Sequence, residues 1–130
     1  MARLAESLQG YLRVHGGLSA LIGTRVYPMQ VPQRPTLPAV TYQQISRRPV
    51  HVKPGVIRPI VAVRMQFDVL ATSYSDVDAV AGQLRSALYG FGATVPWTYS
   101  ALVQSERDFD APELQQFRRS VDVMIWYAEE

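Results

Sequence analysis

The sequence contains no cysteine, which excludes disulfide bonds, thiol catalysis and cysteine-ligated zinc. His15 and His51 are the only two histidines, and neither has a serine or an acid at a spacing typical of a catalytic triad. The chain also lacks the GxSxG, P-loop and GxGxxG patterns of hydrolases and nucleotide-binding proteins. These absences argue against an enzyme and lead us to expect neither a cofactor nor a bound metal.

Long apolar runs are absent as well. No stretch approaches the roughly 18 consecutive apolar residues that predict a membrane span, so we expect no membrane partner. A content of 48% hydrophobic and 18% charged residues is typical of an ordinary globular protein. At 130 residues, the chain has the length of one domain with a single core, which we place over residues 1–130.

Acidic residues are scarce in the first half of the chain, with no carboxylate between Glu6 and Asp68. Residues 1–64 carry a net charge of +8, and residues 65–130 carry −6. Two interpretations stay open at this point. The fold intermixes the halves and neutralises both, or the protein has one positive and one negative surface. Opposed surfaces suit head-to-tail self-association, which closes into a ring when the rotation permits it.

The clearest pattern lies between residues 60 and 88, where a strand leads into a helix. Residues 61–71 alternate between apolar and polar side chains, which is typical of a strand with one buried face. Apolar residues then follow at helical spacing, namely Val77, Val80, Ala81, Leu84 and Leu88. Ser73 or Ser75 is expected to cap this helix, with Asp76 and Asp78 favoured in its first turn by the helix dipole.

Weaker patterns predict the other elements. They indicate a helix over 2–13, one helical turn over 18–22, the start of a short strand at 25–27, and strands over 39–46, 98–107 and 118–127. Gly90 and Gly92 are expected to end the second helix, and residues 108–112 to form a turn. The predicted fold class is α+β: an antiparallel sheet of about four strands, with two helices packed on one face and a long protruding β-hairpin loop. The predicted inner surface comprises Val61, Val63, Met65, Phe67, Val69, Val121, Val123 and Ile125 of the sheet, against Leu4, Leu8, Val80, Leu84 and Leu88 of the helices.

The connection between the second and third strands is the best functional candidate, because it is basic and contains no acid. Its cationic residues are Arg47, Arg48, His51, Lys53 and Arg58. They could contact nucleic-acid phosphates without reading sequence, since aromatic residues for base stacking are missing. They could equally form a solvated hairpin tip, or a subunit contact that meets the acidic half of a neighbouring copy.

Further candidates for subunit or partner contact come from both halves of the chain. Met124 and Trp126 fall on the nominally wet face of the last strand, which implies that a helix or a partner covers that face. Glu106, Asp108 and Asp110 alternate and would share a face in extended chain. A solvated turn explains these three acids better than a metal site does. Two arginines of the basic half complete the set: Arg25 and Arg34.

Five segments, in this order, are similar to one known family: Leu21–Pro28, Leu37–Tyr42, Phe67–Tyr74, Leu84–Leu88 and Arg118–Val123. Together they resemble the small tail-terminator, or tail-completion, proteins of long-tailed phages, prophages and gene transfer agents. The resemblance implies a non-catalytic α+β subunit of the virion, assembled in the host cytoplasm. Such subunits form a ring, usually a hexamer, at the head-proximal end of the tail tube.

In that family the ring stops polymerisation of the tube and joins the tail to the head. The implied partners are therefore further copies of the chain, the tail tube protein, and the head–tail connector or head-completion protein. DNA would pass through the lumen without sequence-specific contacts. Two alternatives remain: a head-completion or connector ring protein, and a small sequence-independent nucleic-acid-binding module.

Overall fold

The computed structural model describes residues 4–33, 35–50, 60–94, 98–111 and 116–128, with the backbone alone for residues 92–94, 98, 99, 110 and 111. These residues form three helices and five strands. In chain order the elements are α1 (Leu4–Val14), α2 (Gly16–Ile22), β1 (Val26–Pro28), β2 (Ala39–Pro49), β3 (Ile60–Ala71), α3 (Tyr74–Thr94), β4 (Thr98–Ala111) and β5 (Gln116–Ala128).

The strands form one sheet in the order β1-β2-β3-β5-β4. The short strand β1 is parallel to β2, and every other neighbouring pair is antiparallel. Strand β3 pairs with β5 along its whole length, from Ile60 opposite Ala128 to Ala71 opposite Phe117. The sheet therefore consists of four long antiparallel strands and one short parallel strand beside β2. It is larger than the predicted sheet of about four strands.

The three helices share a core with one face of the sheet, which we call the helix face; the other is the open face. Odd-numbered side chains of β3 and β5 point to the helix face, because alternate residues of a strand point to opposite sides. The predicted inner surface is confirmed: its members are buried in this core, with Leu4 partly buried at its margin.

Helix α3 begins as the sequence predicts and ends later. The hydroxyl of Ser73 accepts a hydrogen bond of 3.1 Å from the backbone N–H of Asp76, which identifies Ser73 as the capping residue. The expectation that glycine ends the helix near residue 90 is wrong, since the buried stripe continues to Phe91. Gly90 lies instead where α1 approaches, and a Cβ there would be 2.7 Å from the Tyr11 hydroxyl.

Residues 16–22 form a complete helix, so the described residues hold three helices where two were predicted. His15 caps α2, because its Nδ1 accepts a hydrogen bond of 3.2 Å from the N–H of Leu18. Gly23 follows the helix with a φ of +62°, a conformation that side chains with a Cβ rarely adopt. This histidine therefore has a structural role at a helix end.

Strands β2, β4 and β5 extend further than predicted, β5 by two residues at its start and one at its end. Strand β2 continues to Pro49, so Arg47 and Arg48 lie in a strand and not in a loop. The antiparallel pairing of β2 with β3 is confirmed and continues to a 2.8 Å bond from Val50 N–H to Ile60 C=O. The protruding part of the predicted hairpin loop, residues 51–59, lies outside the described residues. Strand β4 continues through residues 108–111, where the sequence predicted a turn.

Candidate functional site

The two ends of the described sheet differ in charge, because the acids lie at one end only. The other end, which we call the basic end, comprises residues 44–49, 60–64, 98–103 and 124–128, where β2 leads towards β3. Its strand residues include Arg47, Arg48 and Arg64 and no acid. The opposite end of the four long strands holds five acids and three arginines, at residues 66–71, 105–111 and 116–122. The charge of the sheet therefore changes sign along the strands and not across them.

A bulge decides which way the basic side chains of β2 point. The pairing of β2 with β3 shifts by one residue between Gln44 and Ser46. One extra residue on a strand reverses the facing of all residues beyond it. Arg48 consequently lies opposite Ala62 on the open face, whereas Arg47 lies opposite Val63 on the helix face. The two neighbouring arginines are both exposed, but they cannot approach the same flat surface together.

Arg64 continues the basic end on the open face. Its guanidinium donates to both carboxylate oxygens of Asp122 at 2.8–3.1 Å. That hydrogen bond, followed by the charge of Asp122, raises the pKa of Arg64. Because Arg64 comes from the basic half of the sequence and Asp122 from the acidic half, the fold intermixes the two halves at this pair.

The apolar candidates lie beside these charges. Met124 is opposite Arg64 in β3 and Leu102 in β4, and Trp126 is opposite Ala62 and Ser100, all on the open face. Met124 and Trp126 are half-buried, and Leu102 is 46% exposed. The helices pack on the other face, so of the two expected covers for Met124 and Trp126, a helix is excluded within the described residues. A partner contact there stays a prediction.

The acidic candidates take part in ion pairs within the chain. Arg119 is 8% exposed and donates to Asp108 at 2.7 Å, to Asp78 at 3.1 Å and to the Tyr74 hydroxyl at 2.9 Å. The same hydroxyl donates to Asp108 at 2.8 Å. The Arg119 hydrogen bond first, and the Tyr74 bond second, lower the pKa of Asp108. Asp108 in turn raises the pKa of Arg119.

Glu106 belongs to the same side of the sheet. It accepts two hydrogen bonds from Arg85 of α3, at 2.8 and 3.0 Å. Together these pairs connect the beginning and middle of α3 to β4 and β5. Asp110 lies in β4, where the structure describes its backbone. A role of these acids in subunit contact remains a prediction, and the Asp108 side chain is more exposed than that of Glu106, at 47% against 25%.

Sequence reasoning missed that Arg119 of β5 forms ion pairs with both α3 and β4, and it explained Asp78 by the helix dipole alone. The signal was present in the alternation of the last strand. Arg119 has the same parity as Val121 and Val123, so it had to point to the helix face. A buried arginine requires carboxylate partners, and Asp78 and Asp108 supply them.

The remaining candidates have other positions. Arg25 donates to the carbonyl oxygens of Pro38 at 2.9 Å and Leu21 at 3.4 Å, so it fixes the segment before β2. The other four basic candidates lie outside the described residues: Arg34, His51, Lys53 and Arg58.

The described part of the chain holds no group of three or more residues suited to a metal ion. None of its helices is long and apolar enough to cross a membrane. One open cleft of about 230 Å³ lies beside the start of α3 and is mostly apolar. It is lined by Tyr74, Val77, Asp108, Phe109, Phe117 and Arg118.

Comparison with known proteins identifies a family and solved structures with the same fold. A family model described as tail completion protein gp17 matches residues 6–128. A chain in the structure titled "Virion of native gene transfer agent (GTA) particle" has the same fold, with a TM-score of 0.74 and 17% sequence identity. The match covers 93% of this chain and 91% of that one. No curated protein sequence matches the chain.

Proposed function

The chain belongs to the tail completion protein gp17 family, and from this membership we propose that it forms a ring at the head-proximal end of a phage tail tube. It is a structural protein of the virion tail. The proposed ring, usually a hexamer in such proteins, ends polymerisation of the tube and joins the tail to the head connector. DNA passes through its lumen without sequence-specific contacts, and the family is one of structural and not catalytic proteins.

The observation that carries this proposal, beyond membership, is the basic end of the sheet. Arg47, Arg48 and Arg64 lie there; the described strand residues of this end include no acid, and Arg64 pairs with Asp122 just beyond it. The sequence adds His51, Lys53 and Arg58 in the connection that leaves this end. Clustered cations bind the phosphate backbone irrespective of base sequence. A ring that DNA crosses, or that contacts an acidic neighbouring ring, requires such a surface.

The test removes the charge from this end without disturbing the core. The variant carries Arg47→Gln, Arg48→Gln and Lys53→Gln, and the first two positions are exposed. A matched control carries Ala79→Glu, Gln83→Glu and Ser86→Glu on the exposed side of α3, which lowers the net charge by the same amount. We expect the first variant to lose most infectious or gene-transferring particles, and the control to keep them.

Electron microscopy of the particles then separates the two proposed tasks. Separate heads and tails indicate a failure of joining, whereas joined particles that do not deliver DNA indicate a failure of passage. A normal titre for the charge-neutralised variant would refute the role of the basic end. Overlong tails in a strain that lacks the protein would support tube termination, and tails of normal length would contradict it.

A further inference from the structure

Each edge of the sheet includes strand residues with one side that no other described strand pairs with. At one edge, β1 covers only Val40–Tyr42 of β2, and in the described part of the chain no strand pairs with residues 43–49 on the side away from β3. At the other edge, β4 pairs only with β5 among the described strands. Gln44–Pro49 are all exposed, and so are Leu102, Arg107 and Phe109 of β4. An exposed strand edge is a template for pairing with another chain.

The strand directions suit pairing between copies in a ring. Strands β2, β3, β5 and β4 alternate in direction, so the two edges of this four-stranded unit run antiparallel to each other. Rotation about a ring axis brings β4 of one copy beside β2 of the next and keeps the helix face on one side throughout. An even number of alternating strands therefore continues as one antiparallel sheet across every subunit boundary.

Strand β1 dictates how the two edges meet. Tyr42 lies level with Glu106 across the sheet, because both belong to the row that includes Phe67 and Val121. If a neighbouring copy docked without an offset along the strands, its Glu106 would meet the place beside Tyr42 that β1 already occupies. The neighbour has to shift so that its β4 meets residues 43–49.

An offset of four rows along the sheet, which is five residues of β2 because the bulge adds one, satisfies this requirement and keeps each face aligned. On the helix face, Arg47 of one copy then lies opposite Glu106 of the next, and Gln44 lies opposite Asp108. On the open face, Arg48 lies opposite Ser105, and Ser46 lies opposite Arg107. No like charges stand directly opposite each other, and the basic end of one copy meets acids of its neighbour.

The size of the offset agrees with the geometry of closed sheets. Four strands about 4.8 Å apart span roughly 19 Å. In closed barrels the strands tilt by about 35–45° to the barrel axis. Two subunits at the same height in such a ring are therefore displaced from each other along the strand direction by roughly 13–19 Å. At about 3.4 Å per residue this equals four to six residues. The offset required by β1 and favoured by the charges is thus the one that ring closure produces.

We propose that copies of this chain join edge to edge, with residues 43–49 of β2 pairing antiparallel with residues 105–109 of β4 in the next copy, so that the ring is closed by one continuous sheet. The inference rests on the proposed ring and adds how its subunits hold together. The partner is a second copy, since the two edges match in direction, length and charge.

The absence of cysteine makes the pairing directly testable. The double variant Ser46→Cys and Arg107→Cys places thiols opposite each other across the proposed boundary. Within one chain these positions lie on β2 and β4, separated by two strands, which is too far for a disulfide. The matched control, Ser46→Cys with Leu102→Cys, would pair only without the offset, because Ser46, Arg64, Met124 and Leu102 form one row. Tails purified from producing cells are oxidised mildly and run on non-reducing gels.

We expect a ladder of covalent multimers for the Ser46/Arg107 pair, reversed by reductant, and dimers at most for each single variant. A ladder for the Ser46/Leu102 pair alone would overturn the five-residue offset. Tails that contain the protein as a ring but give no ladder for either pair would overturn edge pairing and leave the proposed function intact. Tails that lack the protein altogether would overturn the proposed function itself.

Discussion

Replacement of Arg119 by alanine tests the ion pairs that connect α3 to β4 and β5. The guanidinium donates to Asp108 and Asp78, and the side chain is 8% exposed. We expect the R119A variant to fold, because the apolar core on the helix face is unaffected. Its free energy of unfolding should nevertheless fall, since both carboxylates lose their cationic partner and the buried aliphatic stem is removed.

The magnitude follows from the exposure of each partner. A hydrogen bond to a charged group contributes about 1.5–3 kcal/mol when buried, but the Asp108 and Asp78 side chains are 47% and 66% exposed and regain water. The polar loss is therefore about 1–1.5 kcal/mol in total. Two buried methylenes of the stem add about 1.5 kcal/mol at roughly 0.8 kcal/mol each. The sum for R119A is about 3 kcal/mol, or a fall in Tm of roughly 10 °C for a domain of this size.

Two further variants separate these contributions. R119M keeps most of the stem and should lose only the polar part, about 1–1.5 kcal/mol. Arg118, the matched control, is paired with Asp68 at 3.3 Å with a side chain that is 46% exposed, so R118A should lose less than about 0.5 kcal/mol. Urea denaturation followed by circular dichroism measures all three. The reasoning fails if R119A and R118A lose equal stability, or if R119M loses as much as R119A.

Two other outcomes follow from the same structure. The pKa of Asp108 is lowered in the folded protein, so its contribution to stability is complete above its unfolded pKa of about 4 and is lost as pH falls through the lowered value. Asp108→Asn should therefore be less stable than wild type at pH 7, and urea titrations should show the difference shrinking towards pH 3; a constant difference would contradict this. Gly23→Ala should cost about 1–2 kcal/mol because φ is +62°. Gly10→Ala, exposed within α1 with no atom near a Cβ, should stabilise by about 0.5–1 kcal/mol; thermal melts shifting in the same direction would refute the backbone argument.

The sequence predicts best where one face of an element is uniformly buried. Strand β3 begins and ends at the predicted residues, Ile60 and Ala71. The alternation there is complete, because core packing on the helix face rejects a polar residue at every second position. The sequence narrowed the helix cap to Ser73 or Ser75, since only a few residue types accept a hydrogen bond from the first turn of a helix, and the structure identifies Ser73.

Prediction fails where distant parts of the chain decide the local structure. Gly90 looks like the end of a helix in isolation, but tertiary packing continues α3 past it: Phe91 is buried in the core, and the Tyr11 hydroxyl of α1 lies 2.7 Å from where a Cβ of residue 90 would be. Asp108 looks like the start of a turn, yet the pair with Arg119 holds it in a strand. In both cases a residue with low intrinsic preference for the element stays in it because a tertiary contact outweighs propensity.

The candidate site depends on the bulge at Ile45, where the pairing of β2 with β3 shifts by one residue. No residue between Gln43 and Ser46 is a glycine or a proline, so nothing local in the sequence marks a bulge. Yet the shift in pairing there assigns Arg47 to the helix face and Arg48 to the open face. A hairpin loop in which both arginines act together, as first expected, is replaced by a strand edge that presents one cation on each side. That geometry suits an edge that pairs with a strand of another copy. Only a strand added along the edge places side chains next to Arg47 on the helix face and next to Arg48 on the open face.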